Sequence, residues 1–330
     1  MTEIWDDDAP GERRAALVED GRIVEIHIQR DLHRVLGECG NGRVDRKTPS
    51  GVYIMADDGA ELLVRGKVGA AEGAGVAFEV TREAIAEPGR FKPAEARLLD
   101  VMPGIPTDKD LLWHSRLAAM NANTWLTKPV GDALDAAMVG ASRIGDVMVS
   151  FQRTKAGLVF DVDGIGYPLA INRVAATEIA RLLRLYQVGG MVMIDFVSVE
   201  SKAGRIEVAE AFDEASASDA RPFERSAING YGLMQVVRAR PRSSVLDQLF
   251  GTNIAALSDE TQALWLLREA ARSSGFGPRV ITASTKVAAL LSSAKWQAFR
   301  EQCQRLSAAP VDIIADEHLK GYGHVHVAQS

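Results

Sequence analysis

Three aspartates follow two apolar segments and carry the clearest chemical signal of the sequence. Asp161 and Asp163 follow the run 157–160, and Asp195 follows the run 191–194. Short runs rich in β-branched and bulky side chains predict buried strands. Carboxylates at one edge of a sheet repel each other unless a cation neutralises them, and Mg²⁺ prefers such oxygen ligands. The pattern indicates a metal site, while acids that face water in turns are the alternative explanation.

The segment between the two runs has the periodicity of a helix. Apolar side chains at i, i+3, i+4 and i+7 share one helical face: Ile179, Leu182, Leu183 and Tyr186. We expect Asn172 to cap the start of this helix and Gly189-Gly190 to end it. Strand, helix and strand in this order predict a βαβ unit with parallel strands, whose carboxyl ends commonly bind ligands. Asp161 and Asp163 then lie on the same side of their strand, because strand side chains alternate.

The same segment resembles the catalytic core of the ribonuclease E/G family. The match is highly specific through the motifs Glu-Ile-Ala-Arg, Leu-Arg-Leu, Gly-Gly and Ile-Asp-Phe, which lie within residues 172–197. The resemblance implies that Asp161 and Asp195 hold a catalytic Mg²⁺, with Mn²⁺ as a substitute. Asp163 takes the place of a family asparagine that positions the attacking water. We expect Asp163 to orient this water or to complete the metal shell.

Four arginines downstream of Asp195 form the densest basic group that we expect near the acids: Arg221, Arg238, Arg240 and Arg242. Guanidinium groups are well suited to two-pronged contacts with phosphate. The surrounding residues resemble the family motifs D-x-A-R and R-x-R. We therefore predict that these arginines bind RNA phosphate, with simple surface solubility as the alternative for some of them.

Residues 13–30 predict a β-hairpin, because Asp20-Gly21 favours a tight primed turn. This hairpin resembles the segment that opens the nuclease core of the family. His27, on its second strand, has no histidine or cysteine nearby in the sequence. We therefore expect a surface residue rather than a metal ligand at this position.

Residues 38–86 contain closely spaced short strands with glycine-rich turns, which predict a small barrel of the OB type. The family carries an S1-type RNA-binding barrel at this place. Tyr53 is well placed to stack on a base, and Lys67 is among the cations that supply positive charge. A single aromatic residue makes a weak platform, because stacking adds roughly 1–3 kcal/mol per base. A barrel with ordinary solvated cations is the alternative.

Two parts of the family pattern are missing from the sequence. Residues 87–145 contain several prolines, with helical patterns near 111–120 and 132–138, and lack the motif of a sensor for the 5′ monophosphate of RNA. Residues 247–252 replace the cysteine motif that links family subunits through zinc. We therefore expect no zinc and no zinc-linked tetramer, while a homodimer stays open.

The C-terminal residues 259–328 resemble the small C-terminal domain of the family. Their patterns predict, in order, a helix over 260–273, a strand over 279–282, a helix over 294–306 and strands over 311–315 and 322–327. His324 and His326 share one face of the last strand. Because no third ligand is nearby, we expect an exposed pair on an edge strand rather than a metal site.

Composition excludes several classes of protein. The 330 residues, 47% hydrophobic and 25% charged, are ordinary for a globular protein of two or three domains. The formal net charge of −6 means that RNA binding needs local basic patches. Cys39 and Cys303 lie far apart and form no zinc or disulfide pattern, which fits the reducing cytoplasm. We expect no signal peptide and no membrane span, because no apolar run approaches about 20 residues.

The sequence thus predicts an α/β protein with four parts. These are the opening hairpin of a nuclease core (1–37), an S1/OB-like β-barrel (38–86), a catalytic core built on a mixed sheet with the βαβ unit (87–245) and a small C-terminal α/β domain (246–330). The resemblance implies a Mg²⁺-dependent endoribonuclease that cleaves single-stranded RNA and leaves 5′ phosphate and 3′ hydroxyl ends. The first alternative is an RNA-binding protein of the same fold without cleavage. The second is a metal-dependent phosphohydrolase of small molecules.

Overall fold

The computed structural model of the chain describes residues 1–101, 107–131 and 134–328. Its strands are β1 (Thr2–Ala9), β2 (Glu12–Glu19), β3 (Arg22–Arg30), β4 (Cys39–Thr48), β5 (Gly51–Ala56), β6 (Glu61–Arg65), β7 (Gly75–Arg82), β8 (Ile85–Glu87), β9 (Arg90–Lys92), β10 (Ala94–Leu99), β11 (Thr124–Thr127), β12 (Ala141–Ile144), β13 (Val147–Arg153), β14 (Leu158–Gly164), β15 (Gly190–Asp195), β16 (Phe223–Arg225), β17 (Leu233–Arg238), β18 (Arg279–Ala283), β19 (Val311–Ala315) and β20 (His324–Val327).

The helices follow the predicted positions in most places. They are α1 (Lys109–Ala118), α2 (Asp135–Val139), α3 (Pro168–Leu185), α4 (Lys202–Ser216), α5 (Val245–Phe250), α6 (Asp259–Arg272), α7 (Thr285–Ser292) and α8 (Gln297–Ser307), with a 3₁₀ turn over Ala294–Trp296. The helical pattern near 132–138 begins outside the described residues, and its described part forms α2. In the part of the chain that the structure describes, no helix is long and apolar enough to cross a membrane.

The N-terminal sheet contains the predicted hairpin of β2 and β3. Asp20 (φ 50°) and Gly21 (φ 77°) both have positive φ, as the tight primed turn requires. β1 pairs with β2 on one side and with β11 on the other, which gives the order β11-β1-β2-β3. The sequence does not predict β1, because its consecutive aspartates are disfavoured in strands.

Buried charges join this sheet to α6, near the other end of the chain. A carboxylate oxygen of Asp7 lies 2.8 Å from a guanidinium nitrogen of Arg268. Glu12 contacts Arg14 at 2.7 Å and Arg30 at 2.9 Å. Burial opposes the ionisation of Glu12, yet the charges of its three arginine neighbours lower its pKa to about 2. The N-terminal sheet and the C-terminal domain therefore share one charge network.

Five strands close into a barrel in the order β10-β6-β5-β4-β7. Alternate side chains fill its interior, among them Val44, Ile54, Leu62 and Phe78. A small closed barrel of this kind fits the expected S1/OB-like architecture. Its last strand, β10, lies beyond residue 86, in a stretch where two prolines predict a loop rather than a strand.

A second, larger sheet has the order β12-β13-β14-β15-β17-β16. Its strands β14 and β15 are parallel, which confirms the predicted βαβ unit, and the other pairs are antiparallel. Alternate apolar side chains such as Phe160, Ile194 and Val236 bury one face of this central sheet in the core that α3 and α4 cover. The opposite face is open to solvent over much of its area.

The helix of the βαβ unit begins earlier than predicted. α3 starts at Pro168, a residue favoured in the first helical turn because it has no N–H to leave unsatisfied. Asn172 is therefore buried inside α3, and its predicted role as the helix cap is wrong. α3 ends at Leu185, and the positive φ of Gln187 (53°) turns the chain before the predicted glycines.

His27 is buried, and its prediction as a surface residue is wrong. Its Nε2 lies 2.9 Å from a carboxylate oxygen of Glu25, and Arg116 of α1 donates its Nε–H to Nδ1 at 3.0 Å. The sequence around the hairpin cannot show this, because the helix that covers His27 comes from a distant part of the chain.

The C-terminal domain is a sheet of order β19-β18-β20 packed against α6, α7 and α8. α7 was not predicted from the sequence, whereas the other helices and the strands lie within a few residues of their predicted bounds. His324 and His326 are exposed on β20, at the edge of the sheet, with ring centroids 6.1 Å apart. Their position agrees with the expected edge-strand pair.

Candidate active site

The three predicted acids meet at one edge of the central sheet. Asp161 on β14 is the register partner of Asp195 on the parallel strand β15. Neighbouring strands lie about 4.8 Å apart, so these two residues are adjacent. Asp163 lies two residues further along β14, on the same face, opposite Met148 of β13. All three residues are exposed, so a ligand reaches their carboxylates directly from solvent.

Strand alternation explains why the acids face outward. Phe160 and Ile194, which precede Asp161 and Asp195, are buried in the core beneath α3. Because neighbouring side chains in a strand point to opposite faces, burial of the apolar residues turns the acids to the open face. The apolar runs that predicted the strands therefore also fix the direction of the carboxylates.

Like charges oppose full ionisation of this acidic edge. Partial burial raises the pKa of Asp161, and the negative charges of Asp163 and Asp195 raise it further. A cation near the three carboxylates would favour their ionised form. Among the described residues, no lysine, arginine or histidine forms a salt bridge with any of them. The negative charge of this edge is therefore not compensated by any cation of the described residues.

The donor set suits a hard cation that is bound by few protein ligands. Across residues 1–101, 107–131 and 134–328, no group of three or more histidine, cysteine, aspartate or glutamate side chains is arranged to hold a metal ion. Mg²⁺ commonly binds one or two carboxylates and completes its shell with water and phosphate oxygens. Asp161 and Asp195 offer one such pair, so the residues present fit Mg²⁺ together with a phosphate ligand.

The chain that follows Asp195 is held from two sides. The side-chain amide of Asn172 donates to the carbonyl oxygen of Val197 at 2.6 Å, and its oxygen accepts the N–H of Val197 at 3.1 Å. On the other side, Phe196 donates its N–H to the carbonyl of Gly232 at 3.1 Å. A Cβ atom at Gly232 would lie 2.3 Å from the carbonyl oxygen of Phe196, so this contact requires glycine.

Sequence reasoning missed both Asn172 and Gly232 as residues that position the site. The available signal for Asn172 was its polar side chain on the face of α3 that turns toward the sheet. The available signal for Gly232 was a glycine just before strand β17. Neither signal identifies its partner, because both contacts join segments that are far apart in the sequence. We infer that these residues fix the direction in which the chain leaves Asp195.

The four predicted arginines lie at the other end of the central sheet, so the prediction that they are near the acids is wrong. β17 runs antiparallel to β15, with Leu233 beside Asp195 and Arg238 beside Gly190. Arg238 is thus five positions along the strand from the acidic edge, about 16 Å away. The chain reverses direction after the second acid, and this reversal carries the arginines away from it.

Two of these arginines are neutralised by carboxylates of the protein. Arg238 is buried and pairs with Asp219. Arg240 contacts Glu87 at 2.7 Å and Asp247 at 2.9 Å. Such pairs explain both residues as parts of the structure, without a ligand.

The other two arginines lack a close carboxylate partner among the described residues. Arg221 donates to the backbone and side-chain oxygens of Gln187, at 2.9 Å each. The nearest carboxylate oxygen to Arg242 belongs to Glu83, 4.0 Å from its Nε. Their predicted role in phosphate binding stays a prediction, at a place remote from the acids.

The barrel residues predicted to contact RNA, Tyr53 and Lys67, differ in how freely a ligand reaches them. The guanidinium of Arg46 lies over the ring of Tyr53, 4.0 Å from its centroid. One face of this ring is therefore already covered, and a base would have to use the other face or displace Arg46. Lys67 is exposed in the loop after β6.

Comparison with known proteins connects part of this architecture to a family. The model of the Ribonuclease E/G family matches residues 166–241, which contain α3, Asp195 and β17. This segment of the chain is similar to the ribonuclease E/G family. The ribonuclease E/G match includes Asn172, Asp195 and Gly232, whereas Asp161 and Asp163 lie just before it.

Curated relatives match a stretch of similar length. A protein named Ribonuclease E from Nostoc is 37% identical over 85 residues, which are 26% of this chain and 12% of the relative. Ribonuclease G of Salmonella typhimurium is 35% identical over 77 residues, or 22% of this chain and 15% of the relative. The chloroplastic Ribonuclease E/G-like protein of Arabidopsis thaliana is 34% identical over 77 residues, 23% and 8% respectively. The chain thus matches less than a fifth of the length of each of these ribonuclease E/G relatives.

Proposed function

We propose that this protein is a Mg²⁺-dependent endoribonuclease that cleaves single-stranded RNA. The observation that carries the proposal is the register pairing of Asp161 with Asp195 at the exposed carboxyl ends of two parallel strands. The similarity of the adjoining segment 166–241 to the ribonuclease E/G family supports RNA as the substrate. The two free cysteines favour a cytoplasmic location, which we propose as well.

In this proposal each acid has a separate role. Asp161 and Asp195 would hold Mg²⁺, which when bound activates a water molecule and stabilises charge on the scissile phosphodiester. Asp163 would accept a hydrogen bond from the attacking water and so orient it toward the phosphodiester. A carboxylate only accepts hydrogen bonds, whereas an asparagine amide both accepts and donates. Asp163 can therefore bind the water only through a water O–H group, whereas an asparagine could also donate to the water oxygen. Asp163 also adds negative charge close to the RNA.

This extra charge supports one rival function, an RNA-binding protein that does not cleave. Asp163 repels a phosphodiester and raises the pKa of Asp161, so it weakens the site unless a cation is firmly bound. The rival retains RNA binding through the barrel and the arginines. It differs from the main proposal in a single measurable respect, which is the metal-dependent cleavage.

The experiment is cleavage of an end-labelled single-stranded RNA in the presence of Mg²⁺ or Mn²⁺. We expect products with 5′ phosphate and 3′ hydroxyl ends, and no products after addition of EDTA. Asp195→Asn should abolish cleavage, because it removes one of the two charged ligands. The matched control is Glu224→Gln, which neutralises an exposed acid on β16 of the same sheet and should leave cleavage unchanged.

Three results separate the possibilities. Cleavage that requires metal and Asp195 supports the nuclease and its site together. RNA binding on a gel without cleavage, in both metals, supports the rival. Cleavage that survives in Asp195→Asn at the wild-type rate would contradict the proposed site.

A further inference from the structure

Three arginines from separate parts of the chain lie near the N-terminal hairpin. Arg116 contacts His27 of the hairpin, and Arg221 binds Gln187, which in turn contacts Glu25 of the hairpin. The charge of Arg242 acts on both of the other arginines. Arg116 lies on α1, Arg221 lies between α4 and β16, and Arg242 follows β17. Within the described residues, no carboxylate oxygen lies within 4.0 Å of Arg116 or Arg221, and Arg242 meets one only at that distance. We call these residues the arginine triad. Most other partly or fully buried arginines of the described chain have a close carboxylate, as Arg238 and Arg240 do.

The direct contacts of Arg116 do not neutralise its charge. Its Nε–H is donated to Nδ1 of His27, which must therefore be unprotonated, while the Nε2–H of His27 points to Glu25. Burial and the charge of Arg116 are among the causes that lower the pKa of His27 to about 4, so the ring is neutral at pH 7. Glu25 is also bound by Arg184 at 2.9 Å. The guanidinium of Arg116 thus rests on a neutral ring.

The members of the triad repel one another. Burial first, and then the charges of Arg242 and Arg221, lower the pKa of Arg116 to about 9. Burial also lowers the pKa of Arg221, and the charge of Arg242 contributes to this shift. Three carboxylates face the triad, and each already has other partners. Glu83 accepts the N–H groups of Leu36 and Ser243, whereas Glu25 is bound by Arg184 and Asp219 is bound by Arg238. Positive charge therefore exceeds negative charge at this place.

Within the triad, Arg116 has free hydrogen-bonding capacity and borders a cavity. Among the described groups, the terminal nitrogens Nη1 and Nη2 of Arg116 have no hydrogen-bond acceptor. Arg116 lies on the wall of a cavity of about 230 Å³, which Ser243 and Glu83 also line. The side chain of Arg242 is 31% exposed, so the triad can be reached from solvent. An unneutralised group of guanidinium donors beside an open space is the arrangement that binds phosphate.

We propose that Arg116, Arg221 and Arg242 form a binding site for a phosphate-sized anion. Its ligand is the phosphate group of a nucleic acid backbone or of a small phosphorylated compound, since both present the same oxygens to guanidinium donors. The site is separate from the acidic edge, at the opposite end of the central sheet, and it does not depend on the cleavage that we propose there.

The test titrates inorganic phosphate into the whole protein at constant ionic strength, with sodium chloride as the balancing salt. Phosphate should raise the melting temperature of the wild type beyond the effect of chloride, and calorimetry should give a dissociation constant. Arg116→Gln and Arg242→Gln should each lose this rise and weaken phosphate binding by roughly tenfold or more, because charge-assisted hydrogen bonds are lost. The matched control is Arg225→Gln, which removes an arginine already paired with Asp213 and should keep the full response.

A second readout distinguishes a ligand site from a structural role of Arg116. In phosphate-free buffer, Arg116→Gln should melt at or above the wild-type temperature, because it relieves repulsion between like charges. A structural arginine would instead lower the melting temperature and keep the phosphate response. The proposal is overturned by equal phosphate responses in the wild type, both triad variants and the control.

A single-stranded oligoribonucleotide identifies the source of the phosphate. If the ligand is backbone phosphate, inorganic phosphate competes with RNA and Arg242→Gln weakens RNA binding. If the ligand is a small phosphorylated compound, RNA affinity is the same in both proteins while phosphate binding is still lost in the variant. The measurements can be made in an Asp195→Asn background, so failure of the cleavage proposal does not affect them.

Discussion

The two ends of the central sheet carry opposite charges in different states. At one end Asp161, Asp163 and Asp195 are exposed, and none of them has a cation of the described chain beside it. At the other end Arg238 and Arg240 are charged but paired with carboxylates. Paired charges stabilise the fold, whereas charges without a protein partner indicate a ligand. This difference, rather than the density of charge in the sequence, separates the candidate sites from the structural residues.

The end of the central sheet that carries the paired arginines, here called the paired end, also joins the barrel to the rest of the molecule. Asp247 accepts from Arg240 at 2.9 Å and from Arg153 at 3.3 Å, and its side chain completes the capping box of α5 with Ser244. Arg240 reaches in addition to Glu87, in the connection between the barrel strands β7 and β10. Arg240, which the sequence predicts to bind RNA, thus holds three segments of the protein together.

The largest expected effect is on catalysis at the acidic end. Asp161→Asn and Asp195→Asn should each reduce cleavage by roughly 10²-fold or more, because each removes a charged ligand of the cation. The double variant should be no slower than the worse single variant, since residues that act as one unit are not additive. Single-turnover cleavage rates of the three variants measure these effects. If the double variant lost activity by the product of the two single losses, Asp161 and Asp195 would act independently rather than as one metal site.

The next effect is on stability at the paired end. Asp247→Ala leaves Arg153 and Arg240 with less compensation in a buried place, and should lower the free energy of unfolding by about 3–5 kcal/mol. Asp213→Ala removes the partially exposed partner of Arg225 and should cost at most about 1 kcal/mol. Urea denaturation compares the two. Equal losses of unfolding free energy in the two variants would show that a buried ion pair contributes no more to stability here than an exposed one.

A smaller effect concerns the pH dependence of cleavage. The charge of Asp163 helps to raise the pKa of Asp161, and Asp161 must be ionised to hold a cation. Asp163→Asn should therefore lower this pKa and move the acid limb of the kcat/KM profile to lower pH. The plateau above neutral pH should change far less than in the metal-ligand variants. An acid limb that stays in place would show that Asp161 does not control it.

The smallest effect is on the pH dependence of stability. Because the folded state raises the pKa of Asp161, its protonated form is favoured by folding and its ionised form is disfavoured. Asp161→Asn should therefore raise the melting temperature slightly at pH 7, and this gain should disappear near and below the ordinary pKa of 3.8. Added Mg²⁺ should reverse the order by stabilising only the wild type. A gain that is independent of pH would indicate a packing effect.

The sequence predicts the acidic edge well because its causes are local. Two apolar runs and one helical period fix the strands, their direction and the side of the sheet on which Asp161 and Asp195 lie. The barrel strands are predicted from equally short patterns. The exception is β10, because the prolines near it indicate a loop. These features require no knowledge of contacts between distant segments.

The remaining parts of the candidate sites depend on contacts that no local pattern shows. The sequence order predicts the arginines near the acids because they follow Asp195, but an antiparallel strand carries them to the other end. His27 was expected on the surface because α1, which covers it, comes from elsewhere in the chain. Asn172 has the residue type of a helix cap, yet Pro168 starts the helix and frees Asn172 to hold Val197.

The charge network between β1 and α6 has a consequence for the order of folding. Asp7 and Arg268 are separated by 261 residues, so the buried Asp7 of β1 gains its arginine partners only after α6 is present. Contacts over such separations form slowly, and buried carboxylates without them would cost several kcal/mol. The N-terminal sheet, although it precedes the C-terminal domain in the chain, should therefore be among the last elements to become stable, and its protection from hydrogen exchange should report that the C-terminal domain has docked.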